Sequence, residues 1–296
     1  MKVVVSDLRK MYDDFCAVND ISFSFESGRV FSLIGRNGSG KTSTIRMMLG
    51  TLSRDRGSVL ADGKPLSKQL NRVGYLSEER GLYVKDPIIE QLVFLGTLKG
   101  MKKKQAHKAA MDWLERLNIA NRANDKLETL SKGNQQKIQI VASLLHNPDI
   151  VIFDEPFSGL DPVNAKFLLE LVEELKNQNK CVLLSSHQLH LLEGVCDDLA
   201  IISYSNMIYQ GTIEKLKEQK GGKSIVVQFE EVNNDLIRDI QYLKSSEDGK
   251  YTVTLDETRT CQLVIQDLLL RNLKIESFEV REKSLNDIFI EMEETR

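Results

Sequence analysis

Gly35-Arg36-Asn37-Gly38-Ser39-Gly40-Lys41-Thr42 is the stretch on which the fold turns. It has the form Gly-x-x-x-x-Gly-Lys-Thr, it follows a short apolar run at residues 30–34, and a helical pattern opens at Lys41 and continues through Ser43. That strand–loop–helix context is what a phosphate-binding loop requires. Glycines let the backbone curl so that successive N–H groups face phosphate oxygens. The helix that follows adds the positive end of its dipole. Lys41 supplies a point charge for β- and γ-phosphates, and Thr42 a hydroxyl for Mg²⁺. An ordinary glycine-rich turn needs neither the Lys-Thr pair nor the register with strand and helix.

Outward from the loop, short apolar runs alternate with longer helical patterns, which predicts an α/β domain. Ile150-Val151-Ile152-Phe153-Asp154-Glu155 reads as a buried strand ending in two acids at its carboxyl end, where open α/β sheets bind ligands. Asp154 is suited to hold Mg²⁺ directly or through water. Glu155 is suited to orient and polarise an attacking water. Runs at 181–184 and 199–202 read as strands, with a short helix at 188–193 between them. Pro162 opens a helix carrying Val163, Phe167, Leu168, Leu171, Val172 and Leu175 at helical spacing. Residues 86–145 read mainly helical, with Ala106, Ala110, Trp113, Leu114 and Leu117 on one core-facing stripe. Lys99, Lys102, Lys103, Lys104 and Lys108 read as a solvated face, or as a contact for anionic lipid or a membrane partner's loop.

Composition narrows the class. Of 296 residues, 40 are Lys or Arg and 43 Asp or Glu, a net charge of −3, which gives no global argument for nucleic acid. Cys16, Cys181, Cys196 and Cys261 lie far apart without a Cys-x-x-Cys pair, so neither a disulfide scaffold nor a zinc module is expected, and a reducing compartment fits. The longest uncharged stretch, 199–213, holds Ser, Asn, Gln and Gly and is too short to span a bilayer. Asp7, Arg9 and Lys10 stand where a signal peptide needs an apolar run. A soluble, cytoplasmic chain is the expectation. The composition breaks at Lys220-Gly221-Gly222-Lys223. Beyond it, strands at 224–229, 251–255 and 275–280 and helices at 258–273 and 285–292 predict a small α+β domain over 223–296, following a nucleotide-binding domain over 1–219.

With these motifs in order, the chain resembles the ATP-binding cassette ATPases of ABC transporters over about residues 1–218. Leu130-Ser131-Lys132-Gly133-Asn134-Gln135-Gln136 resembles the family's Leu-Ser-Gly-Gly-Gln signature, and Ser158-Gly159-Leu160-Asp161 its D-loop. His187 resembles its switch histidine. Tyr12 stands where the family keeps an aromatic that stacks on adenine, although an aromatic there serves packing equally well. Ser131 also reads as a plain helix N-cap. Lys132 and Asn134 depart from the signature's first glycine and its glutamine. In Gly74-Tyr75-Leu76-Ser77-Glu78, an acid stands where the family has a metal- and water-contacting glutamine, and Glu79 competes for that role. The signature, the Glu-Glu-Arg-Gly-Leu-Tyr run at 78–83 and Leu285-Asn286-Asp287-Ile288-Phe289 resemble the bacterial subgroup that powers separate ABC-2-type permeases, including sodium-efflux-like ones.

The resemblance implies a P-loop nucleotide-binding domain with a helical subdomain at about 84–148. It implies ATP and Mg²⁺ as ligands, with Gly35 to Ser43, Tyr12, Ser131, Gly133 and Asn134 toward ATP, and Thr42, Asp154 and Glu78 toward the metal. Lys41, Glu155 and His187 would carry catalysis. Two chains, as homodimer or heterodimer, would meet head to tail, each signature reading the other's γ-phosphate, on the inner face of a membrane through an ABC-2-type permease. An ABC ATPase acting on ribosomes or DNA is the competing class. Translation-type members carry two cassettes per chain, repair-type members a long coiled-coil insertion, and this chain has one phosphate loop and no room for the insertion. A nucleotide switch without turnover is the third reading, and the presence of Lys41, Glu155 and His187 argues against it.

Overall fold

The computed structural model describes residues 1–79, 81–230, 240, 242–245, 250–256 and 258–294. They form two compact units, Met1–Thr212 and Ile213–Arg296. The division falls ahead of the Lys220–Lys223 break, because the helix α7 (Ile213–Lys220) packs on the C-terminal helix α9 (Leu285–Glu294). The glycine pair is a turn between α7 and the next strand.

The centre of the first unit is a six-stranded sheet ordered β10-β9-β3-β8-β7-β6. Its strands are β3 (Arg29–Ile34), β6 (Val73–Leu76), β7 (Ile150–Asp154), β8 (Cys181–Ser186), β9 (Asp198–Ser203) and β10 (Asn206–Thr212). All neighbours pair in parallel except the β9–β10 hairpin. The β7 and β8 strands are buried along their whole length, which explains their unbroken apolar runs.

A second sheet, β2-β1-β4-β5, is antiparallel and has no counterpart in the sequence reading. It contains β1 (Lys2–Tyr12), β2 (Phe15–Glu26), β4 (Arg56–Ala61) and β5 (Lys64–Pro65). Val3, Val5 and Leu8 on β1 and Ile21, Phe23 and Phe25 on β2 face inward. Register shifts between Val5 and Leu8 and between Leu8 and Lys10 break the period-two pattern, so simple alternation is lost. Phe23 stacks on Phe31 at 5.1 Å, which ties this sheet to the central one.

The helices α2 (Ile88–Leu98), α3 (Lys103–Arg116) and α4 (Lys132–Leu144) enclose a separate apolar cluster. Ala106, Ala110 and Leu114 are fully buried in it, while Trp113 sits at its rim under the Arg116 guanidinium. Two apolar and basic positions fall differently from the sequence reading. Val163, at the start of α5 (Pro162–Asn177), is 77% exposed and lies off the buried stripe of Ala165, Leu168, Leu171, Val172 and Leu175. Lys99 is half-buried and donates to Leu70 O (2.7 Å) and Val73 O (3.0 Å), so it caps backbone carbonyls and burial lowers its pKa.

The second unit holds a sheet ordered β12-β13-β11-β14, from β11 (Lys223–Phe229), β12 (Lys244–Ser245), β13 (Tyr251–Thr254) and β14 (Ile275–Glu282). The helix α8 (Cys261–Leu270) buries Val264 and Leu268 against Ile225, Val227 and Val253.

Candidate active site

The parallel register fixes the site before any side chain is considered. Ile34 is level with Ser186, and Asp154 with Ser185. The carboxyl ends of β3, β7 and β8 therefore deliver Gly35, Glu155 and His187 to one edge of the sheet. The loop of residues 35–42 runs from β3 into α1 (Lys41–Leu49). Gly40 is at φ +107°, and a Cβ there would lie 2.6 Å from Ala17 O, so both conformation and space demand glycine.

Lys41 is almost completely buried in this edge. Its Nζ donates to Gly35 O at 2.7 Å and Arg36 O at 3.2 Å, and lies 3.0 Å from Glu155 Oε1. Glu155 Oε2 is 2.8 Å from His187 Nδ1 and accepts from the His187 backbone N–H at 3.3 Å. Glu155 occupies the left-handed region at φ 49°, an unusual conformation for a non-glycine residue and one seen at functional turns. Its backbone N–H is held by Ser185 Oγ at 2.9 Å. The same Ser185 hydroxyl donates to Asp154 Oδ1 at 2.5 Å. Ser185 is a site residue that the sequence reading overlooks. Its only signal is a serine pair closing an apolar strand.

Asp154 is fully buried, and Thr42 Oγ1 donates to its Oδ1 at 3.3 Å, while its Oδ2 has no hydrogen-bond partner. Burial raises the Asp154 pKa above the ordinary carboxylate range, opposed by the Ser185 and Thr42 hydroxyls and reinforced by the nearby Glu78 and Glu155 carboxylates. A buried, half-satisfied carboxylate beside a threonine hydroxyl is a donor set that fits a hard divalent cation. No group of three or more His, Cys, Asp or Glu side chains suited to a metal occurs among the described residues. Such a site would therefore be completed by substrate oxygens, as is usual for Mg²⁺.

A cleft of about 560 Å³ opens over the loop, lined by Asn37, Gly38, Gly40, Lys41, Thr42 and Ser43, with Glu78, Glu155, Tyr12 and Phe15 around it. Glu78 faces this cleft, while Glu79 is drawn away into an ion pair with Arg46 at 3.2 Å. Arg80 lies outside the described residues. Tyr12 and Phe15 pair across the β1–β2 hairpin and are 48% and 62% exposed. The sequence reading singles out Tyr12 alone. Phe15 escapes it because only the hairpin, closed by Asp13 and Asp14, brings the two rings to one rim. Ser39 is buried with an unpartnered hydroxyl, and Arg36 contributes its backbone carbonyl to Lys41.

Ser131, Gly133 and Asn134 are not among the residues lining the cleft. They begin α4, where Ser131 Oγ accepts from the Asn134 backbone N–H at 3.4 Å, so the N-cap reading holds geometrically. A Cβ on Gly133 would lie 2.3 Å from Asn164 Nδ2, so a larger residue there would require the Asn164 side chain to move. Further along α4, Gln136 donates to Pro156 O at 3.0 Å, linking this helix to the turn after Glu155.

Comparison with known proteins accounts for this arrangement. Residues 18–158 match the ABC transporter family model. A Bacillus subtilis ABC transporter ATP-binding protein, YhaQ, is 40% identical over 98% of this chain and 97% of its own. The chain belongs to the ABC transporter ATP-binding proteins. Residues 211–292 match the C-terminal domain of DrrA1-3-like ATP-binding proteins, the part of the chain that forms the second unit. The linearmycin resistance ATP-binding protein LnrL of Bacillus subtilis is 35% identical over 74% of this chain and 72% of its own. A solved ATP-binding subunit of an ABC transporter superposes with a TM-score of 0.68 at 29% identity, covering 74% of this chain and 93% of that one. ATP binding and ATPase activity come with membership of this family, and the fold is the P-loop α/β fold of its nucleotide-binding domains.

Proposed function

We propose that this ABC ATP-binding protein hydrolyses Mg-ATP to power a separate ABC-2-type membrane permease, as a homodimer or heterodimer that ATP closes and hydrolysis reopens. The observation that carries the proposal is the Lys41–Glu155–His187 chain of contacts at the ends of β3, β7 and β8. The triphosphate would lie on the loop of residues 35–42, with Ser43 behind it. Lys41 Nζ would exchange Gly35 O, Arg36 O and Glu155 Oε1 for β- and γ-phosphate oxygens. That exchange frees Glu155 to orient a water at the γ-phosphorus and to accept its proton, while His187 steadies the other carboxylate oxygen. The bond from the γ-phosphorus to the β,γ-bridging oxygen breaks, giving ADP and phosphate. Thr42 and Asp154, with Glu78 beside them, would hold Mg²⁺, which draws charge from the β- and γ-phosphate oxygens.

Ser131, Gly133 and Asn134 would act on the ATP of a second subunit, since they do not line the cleft of their own chain. The exposed ring of Tyr12, with Phe15, suits the adenine base. No helix among the described residues is long and apolar enough to cross a membrane, so the proposed cytoplasmic-face location depends on the permease. The name of the linearmycin-resistance relative and the DrrA-like C-terminal match support the export-associated subgroup.

Glu155→Gln tests the assignment. It preserves shape and hydrogen bonding but removes the base, so ATP affinity persists while turnover falls by roughly 10²- to 10⁴-fold. Undiminished phosphate release by the variant would refute the role of Glu155.

A further inference from the structure

Ser185 is completely buried near the end of β8, level with Asp154, the last paired residue of β7. One residue later the chain leaves the ladder. Glu155 turns at φ 49°, and its N–H donates to a side chain, Ser185 Oγ at 2.9 Å. The Ser185 hydroxyl donates in turn to Asp154 Oδ1 at 2.5 Å. A hydroxyl has one proton to give and lone pairs to receive, so a single oxygen here serves both acids in opposite senses. Its bond to Asp154, shared with the Thr42 hydroxyl on the same Oδ1, restrains the carboxylate and leaves Oδ2 unpartnered. Its bond from Glu155 holds a left-handed backbone that persists only where the surroundings fix it. Ser158 N–H, donating to Glu155 O at 3.1 Å, holds the other side of that turn. The neighbouring Ser186 is occupied elsewhere, accepting from the Gln188 N–H at 2.9 Å.

We propose that Ser185 is a positioning residue that couples the two acids: its hydroxyl sets the Asp154 carboxylate for Mg²⁺ and, through the Glu155 N–H, sets the base for the attacking water. The proposal rests on the roles given above to Asp154 and Glu155. Hydrogen bonds in a chain polarise one another, and in a buried site little water screens them. A cation that draws charge from Asp154 therefore acts on the same hydroxyl that orients Glu155. Metal occupancy and base geometry are linked through one oxygen. Partners that hold a metal ligand from behind change metal affinity or activity by about 10- to 100-fold when removed.

The experiment compares the full-length parent with Ser185→Ala, Ser185→Thr and Ser185→Val. Thr keeps the hydroxyl and Val has nearly the same shape without it, so any cost of the added methyl cancels between them. One readout is the thermal midpoint titrated with Mg²⁺ at saturating ADP, which involves no turnover. The other is phosphate release from ATP at saturating Mg²⁺. Ser185→Ala is expected to need about tenfold more Mg²⁺ for half its stabilisation and to lose at least about tenfold in kcat. Its KM for ATP stays within about twofold of the parent's, because the loss falls on the transition state. Its affinity for ADP without Mg²⁺ is unchanged, which a general loss of structure would not allow. Ser185→Thr keeps both readouts near the parent's, and Ser185→Val follows Ser185→Ala. A parental Mg²⁺ midpoint or a parental kcat in Ser185→Ala overturns the coupling, as do Thr and Val variants that behave alike. The two readings fail separately. Parental turnover by Glu155→Gln refutes the base itself, whereas an inactive Glu155→Gln beside an unaffected Ser185→Ala refutes the coupling alone.

Discussion

Two neighbouring acids at the end of β7 have opposite environments, and their roles follow from that. Glu155 lies beside the Lys41 ammonium through Oε1 and beside His187 Nδ1 through Oε2. Asp154 is buried with one oxygen unpartnered, and burial raises its pKa. Between the ordinary carboxylate pKa and this raised value, the folded chain keeps a proton that the unfolded chain has lost. Stability contributed by Asp154 is therefore greatest below the ordinary value, falls as pH rises through that window, and stays low above it. Asp154→Asn removes the slope, so at neutral pH without nucleotide or Mg²⁺ its thermal midpoint exceeds the parent's. With Mg-ATP the order reverses, because binding stabilises the parent and the variant has lost a cation ligand. Differential scanning fluorimetry against pH, with and without Mg-ATP, checks both signs. A parent and variant with parallel pH profiles would show that Asp154 does not bear the cost of burial.

At the scale of elements, the β1–β2 hairpin places two exposed rings beside the loop of residues 35–42. Only one ring need carry the adenine. Removing a base–aromatic stack costs about 1–3 kcal/mol, roughly tenfold or more in affinity. Tyr12→Ser and Phe15→Ser, compared by calorimetry with ATP and with tripolyphosphate, separate the two. The stacking residue is the one whose loss weakens ATP about tenfold and leaves tripolyphosphate unchanged. Equal ATP affinity in both variants would remove the hairpin from the nucleotide site. The α4 helix presents a different case. Its Ser131 is an N-cap in geometry, and capping by Ser is worth about 1 kcal/mol. A cap does not require the glycine that follows at 133, where a larger residue would displace the Asn164 side chain.

At the scale of the molecule, nucleotide-driven closure is predicted to depend on this helix start. At about 1 µM, Glu155→Gln is monomeric alone and dimeric with Mg-ATP, because a ligand shared by two subunits favours the state that binds it. Adding Ser131→Arg puts a bulky cation at the helix start and abolishes the nucleotide-dependent dimer, while each monomer still binds ATP. A dimer that survives this change would show that the signature does not act across the interface. Lys132 adds a long side chain beside the contact, which is exposed here.

Much of the site was legible along the chain because its chemistry is local. The glycine spacing, Lys41 and Thr42 follow one another through a single turn, and an apolar strand that ends in Asp154-Glu155 announces a sheet's carboxyl edge. Strand β7 follows from its unbroken apolar run, and helix α5 and strands β11, β13 and β14 from periodicity, whereas β12 was not read from the sequence. The antiparallel sheet β2-β1-β4-β5 follows from neither, since its bulges interrupt alternation and its pairing joins residues 3 and 61. Nor could sequence choose between Glu78 and Glu79, which differ only in that Arg46 reaches one of them. Ser185 and Phe15 are ordinary residues in sequence. They enter the site because the parallel register sets Ser185 beside Asp154, and because the hairpin sets Phe15 beside Tyr12. Local chemistry was written in the residues; which of them meet was decided by strand pairing, whose long-range register no local pattern encodes.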